Sequence, residues 1–87
     1  MGYFIALTAK ARKDVKKIQR SPWKDAVVAI LNILKQNPWQ NPPPYEKLSG
    51  EYKGACARRI NIQHRLVYQV FEEDKTVKII SMWSHYE

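Results

Sequence analysis

The spacing of apolar residues changes character once along this chain, and that change fixes the class of fold it can adopt. In the N-terminal half they recur at helical intervals. Ala11, Val15 and Ile18 lie within about 60° of one another on a helical wheel, and Trp23, Val27, Ile30, Leu31 and Leu34 form a wider second stripe. Beyond Gly54 the pattern turns β-prone over residues 55–62, 64–71 and 77–86, broken by Asn61-Ile62-Gln63 and by Glu72-Glu73-Asp74-Lys75. A short apolar run at residues 3–7 precedes the helices and ends at Thr8, a residue suited to cap the first of them. Ser21-Pro22 repeats the start signal for the second helix, Asn37-Pro38 stops it, and residues 37–44 form a proline-rich loop. The expected order is β-α-α-β-β-β: an α+β fold with an antiparallel sheet and a two-helix hairpin packed on one face.

Size and composition narrow the functional classes. With 87 residues, 1–87 is expected to be a single domain around one core, without a regulatory domain or second lobe. The one cysteine, Cys56, excludes an internal disulfide, and with His64 and His85 it is too few for a four-ligand zinc site, so no metal and no cofactor is expected. The longest apolar run, residues 26–31, is far below the roughly 18–20 residues that cross a bilayer, and no signal peptide or myristoylation pattern opens the chain. The expectation is a soluble protein of a reducing cytoplasm that does not engage membranes. A net charge of +7 points to a polyanionic or acidic protein partner. Much of it sits on the first helix, where Lys10, Arg12, Lys13, Lys16, Lys17 and Arg20 spread over the side away from the apolar stripe, with Asp14 read as lying among them.

The residues able to move protons or hold a phosphate come late: Glu46 in the loop before the sheet, Arg58, Arg59 and Arg65 in the next two strands, and His85 in the last. RNA cleavage without a metal needs a base for the 2′-hydroxyl proton, an acid for the leaving 5′-oxygen, and cations for the charge growing on the phosphate. Carboxylate, histidine and arginines meet that requirement. Whether they share a face depends on the last hairpin. An odd loop about Asp74 places Arg65 opposite Trp83 and diagonal to His85, whereas an even loop brings Tyr86 round, and the sequence leaves both registers open.

Glu46-x-Leu48, Gly54, Arg58-Arg59-Ile60, His64-Arg65-Leu66-Val67-Tyr68 and the final His85-Tyr86 together resemble the Txe/YoeB family of the RelE-type toxin superfamily, in order and spacing from Glu46 to Val70. The resemblance implies a RelE-like fold and the toxin of a type II toxin–antitoxin pair, a ribosome-dependent, metal-independent endoribonuclease that cuts mRNA in the A site. Carried over by position, Glu46 resembles the general base, His85 the general acid, Arg65 the phosphate-stabilising cation and Tyr86 the residue that orients the scissile phosphate or base. Arg58, Arg59, Lys47 and Lys53 would support the phosphate, and Lys10, Lys13, Lys17 and Arg20 would contact ribosomal RNA. The implied partners are a cognate acidic antitoxin of the YefM/Axe kind, the ribosome with its mRNA, operator DNA only through the antitoxin complex, and a second copy of the chain. Ser49, Ser84 and Cys56 depart from residues common in the family.

Two other readings compete. The same fold can act by binding, as relatives that poison DNA gyrase do, although those generally lack a final His-Tyr. A plain basic RNA-binding module is the third, weakened by the missing aromatic and glycine signatures of common RNA-binding folds. Taken singly, Glu46 reads as a loop carboxylate, Arg58-Arg59 as a solvated pair on an edge strand, and Trp23 and Trp83 as packing residues.

Overall fold

A computed structural model describes residues 2–50 and 53–85, with side chains described as far as Trp83. Its elements are β1 (Phe4–Leu7), α1 (Ala9–Gln19), α2 (Lys24–Gln36), β2 (Glu46–Lys47), β3 (Cys56–Arg59), β4 (His64–Phe71) and β5 (Thr76–His85). The strands form one sheet in the order β1-β5-β4-β3-β2. The α+β class and the helical pair on one face are as expected, with two differences. Glu46 and Lys47 form a short edge strand rather than loop, and β1 runs parallel to β5, so the sheet is mixed. The second follows from connectivity: β1 is joined to the rest of the sheet only through the helical hairpin, a crossover long enough to return the chain in parallel.

Local chemistry sets the helix ends. Thr8 caps α1, its hydroxyl accepting the Ala11 N–H at 3.1 Å. α2 starts at Lys24, later than Ser21-Pro22 suggested: the Ser21 hydroxyl donates back to the Ile18 carbonyl (2.8 Å) at the end of α1 and accepts the Trp23 N–H (3.2 Å), so it bridges the turn between the helices. Trp23 is consequently left on the surface rather than in the second stripe. Ala11, Ile18, Val27, Ile30 and Leu34 pack on Cys56, Leu66, Tyr68, Val77, Ile79 and Met82 to make the main core. The opposite face of the sheet carries a small cluster of Ala55, Ala57 and Val67, flanked by Leu48 and Ile80.

The β4–β5 hairpin adopts neither of the two simple registers. It begins even-numbered, Phe71 opposite Thr76 and Tyr68 opposite Ile79, then slips twice, so that Val67 faces Ser81, Arg65 faces Ser84 and His64 faces His85. β5 therefore carries two bulges, an extra residue at Ile80 and a second where Met82 and Trp83 share one partner, Leu66. Trp83 consequently stands against His64, ring centroids 3.8 Å apart and stacked, and not opposite Arg65.

Candidate functional site

Pairing across β3 and β4 aligns Arg59 and Arg65 in one row on the sheet face away from the helices, and the backbone of Ser84 pairs with Arg65 from β5. Glu46, opposite Ala57, stands in the neighbouring row. Two arginines directly opposite one another would repel, a costly arrangement unless an anion is to be held there. The Glu46 carboxylate supplies one negative group, its Oε1 lying 3.7 Å from Nη1 of Arg65. More than half of the Glu46 side chain is exposed, whereas that of Arg65 is 23% exposed, so the cation is held by the sheet while the carboxylate faces solvent. Glu46 and Arg59, with Pro44, Tyr45 and Ala57, line a cavity of about 360 Å³. A carboxylate able to accept a proton next to convergent guanidiniums is the chemistry needed to activate a hydroxyl beside a phosphate.

Other expected site residues are placed elsewhere. Arg58 is a correction: it is neither a phosphate contact nor a solvated edge residue. Only 2% exposed, it donates to the carbonyls of Pro43 (2.8 Å), Gln40 (2.9 Å) and Pro38 (3.0 Å), with its guanidinium 5.1 Å from the Tyr45 ring centre. Strand alternation turns its side chain away from Arg59, and its function is to fold the proline-rich loop from which Glu46 emerges. Lys47 pairs with Cys56 and so belongs to the helix side of the sheet, away from Glu46. Lys53 is exposed in the turn before β3. The backbone of His85 is described, opposite His64, while its side chain and all of Tyr86 lie outside the described residues.

Lys13 and Lys17 on α1, and Arg20 at its C-cap, are exposed as expected. Lys10, exposed as well, also reaches Asp14 one turn on, Nζ to Oδ2 at 3.2 Å. Asp14 itself is 1% exposed and lies against the sheet rather than out among the other cations. The sequence reading missed this residue, although positions 11, 14, 15 and 18 together make the complete buried stripe of a helix.

Four groups titrate away from their ordinary values by clear causes, among them Lys75, raised by its hydrogen bond to Glu72. Burial pushes the Tyr68 hydroxyl up to about 12; the hydroxyl donates to the Pro38 carbonyl at 3.1 Å. Burial also raises the Cys56 thiol, countered in part by Lys47 and Arg58. Glu72 is held below the usual carboxylate value by the Trp39 indole N–H (2.9 Å), the Tyr3 hydroxyl (3.0 Å) and Lys75. No group of three or more metal-ligating side chains occurs among the described residues, and no helix there is long and apolar enough to cross a membrane.

Residues 5–86 match the family described as YoeB-like toxin of bacterial type II toxin–antitoxin system. Among solved structures, a YoeB/ParE toxin from Agrobacterium tumefaciens superposes with a TM-score of 0.85 at 25% identity, covering 95% of this chain and 99% of the other. The toxin of a YoeB–YefM complex from Staphylococcus aureus gives 0.81 at 31% identity, covering 97% and 98%. A YafQ mutant from E. coli shares the fold at 0.79 and 21% identity, over 94% and 92%. No curated protein sequence matches the chain.

Proposed function

The chain belongs to the family of YoeB-like toxins of bacterial type II toxin–antitoxin systems, and from that premise we propose that it is a ribosome-dependent endoribonuclease cutting mRNA in the A site. The observation that carries this reading is the open-face cluster in which Glu46 meets Arg65 at 3.7 Å and Arg65 is paired across to Ser84, the neighbour of His85. In the reaction, the Glu46 carboxylate removes the 2′-hydroxyl proton, the 2′-oxygen attacks phosphorus, and the bond from phosphorus to the 5′-oxygen breaks. His85 as imidazolium protonates that leaving oxygen, giving a 2′,3′-cyclic phosphate and a free 5′-hydroxyl. Arg65, with Arg59 beside it, stabilises the negative charge that accumulates on the phosphoryl oxygens. Tyr86 orients the scissile phosphate or the adjacent base, and no metal takes part. Lys13 and Lys17 on α1, with Arg20 at its C-cap, hold ribosomal RNA phosphates.

The Staphylococcus aureus neighbours are a YoeB–YefM complex and a YoeB dimer. By analogy an acidic antitoxin silences this chain, operator DNA is met only through that complex, and the toxin pairs with a second copy of itself. Charge complementarity with the +7 chain supports the first of these. Primer extension on an mRNA in a purified translation system, with and without ribosomes, tests the activity against H85Q and R65A. Cuts in the A-site codon that require ribosomes and vanish in both folded variants are expected. Uncut mRNA under active translation, or full cutting by either variant, overturns the assignment.

A further inference from the structure

Asp14 is a carboxylate in a place built for an apolar side chain. It lies on the buried stripe of α1, 1% exposed, in a layer otherwise made of Ala11, Ile18 and the underside of β5. Burying a carboxylate there is unfavourable unless its oxygens are bonded, and an apolar residue of similar size would pack at less cost. Its contacts explain its presence. Oδ2 accepts the Met82 backbone N–H at 3.0 Å, and the exposed Lys10 ammonium approaches from outside at 3.2 Å.

Met82 is one of the two β5 residues that share Leu66 as partner, where a bulge takes a backbone N–H out of the ladder. The first bulge is pinned from the cap of the same helix: the Thr8 hydroxyl donates to the Ile80 carbonyl at 2.7 Å. Both slips of β5 are thus tied to α1, one at its N-cap and one at its middle turn. We propose that Asp14 is a positioning residue, its carboxylate fixing the Met82–Trp83 bulge and thereby the register in which Ser84 and His85 meet β4. Without that acceptor, a β5 that closes the bulge moves every later residue by one position, about 3.3 Å, and to the other face of the sheet. The register claim stands on the contacts alone; its consequence for catalysis rests on the nuclease reading above.

Two variants test it. D14N keeps an oxygen that can accept the Met82 N–H, and D14L keeps the branched shape, in a larger side chain, but no acceptor. In the free protein, NMR is expected to show the D14N Met82 amide proton shifted upfield, as a neutral acceptor replaces a charged one, with the Arg65–Ser84 cross-strand contact intact. D14L is expected to lose both Met82 exchange protection and that contact. In single-turnover cleavage on saturating ribosomes, D14N should stay within about threefold of wild type while D14L falls on the order of 100-fold, without a matching loss of ribosome affinity. An unmoved Met82 amide in D14N, a D14N as impaired as D14L, or a D14L with wild-type register and rate overturns the inference. If D14L does not fold, the D14N amide decides. If wild type cuts no ribosome-bound mRNA, the nuclease reading fails while the NMR comparison still judges Asp14.

Discussion

Replacing Arg58 with methionine is expected to destabilise the fold and to disable the candidate site without touching it. The guanidinium makes three charge-assisted bonds to carbonyls at 2.8, 2.9 and 3.0 Å, each of a kind worth about 1.5–3 kcal/mol net. Part of that sum is recovered. The Gln40 and Pro43 carbonyls are only part-buried and can take water, the Pro38 carbonyl keeps the Tyr68 hydroxyl at 3.1 Å, and methionine removes the desolvation cost of a buried charge. The balance is a loss of about 2–4 kcal/mol for R58M, against a total stability of roughly 4–13 kcal/mol for a chain of this length. R58K, whose single ammonium reaches fewer of the carbonyls, should lose about half as much. Thermal unfolding followed by circular dichroism, with tryptophan fluorescence reporting on the loop through Trp39, should show Tm falling by about 10–25 °C for R58M. Because Glu46 directly follows this loop, cleavage by the folded fraction should fall as well. An R58M protein melting within about 3 °C of wild type would refute the argument that this arginine holds the loop together.

Reversing Lys13, Lys17 and Arg20 together should reduce the slope of log affinity for ribosomes against log salt by about 2–3, from three lost phosphate contacts; an unchanged slope in sedimentation assigns that face to another partner. Glu72, with its carboxyl held below the ordinary value, contributes stability above pH 4.5 that disappears as pH falls through the lowered value. E72Q should accordingly be less stable than wild type at neutral pH and converge with it in acid, as read by urea titrations at several pH values; a gap that persists in acid contradicts the linkage. Tyr68 is neutral in the fold up to about 12, so its contribution is complete below pH 10 and lost as pH rises from 10 to about 12. Y68F should lose about 1 kcal/mol at neutral pH and show a shallower alkaline decline, and an identical decline would place the titration elsewhere.

The helices, the loop and the three long strands were legible because periodicity and capping chemistry are local properties, and Thr8 does cap α1 as its type implies. What the sequence left open depends on contacts between distant segments. Arg58 and Arg59 are adjacent and chemically identical, yet alternation buries one among the carbonyls of a loop some twenty residues earlier and leaves the other on the open face beside Arg65. Nothing in an Arg-Arg dipeptide says which residue has carbonyls waiting for it. The β5 register is harder still, because parity arguments assume an unbroken ladder and this one is broken twice. Each break is satisfied from α1, by Thr8 at Ile80 and by Asp14 at Met82, residues 72 and 68 positions away in sequence. The sequence does carry a trace of the second break: an acidic residue in the apolar stripe of an otherwise basic helix is a local inconsistency, and buried polar groups that violate a pattern are where a fold commits side chains to a particular geometry. Read that way, Asp14 marks the place where the helix determines how the last strand meets the sheet, and the three residues that follow Met82 inherit their position from it.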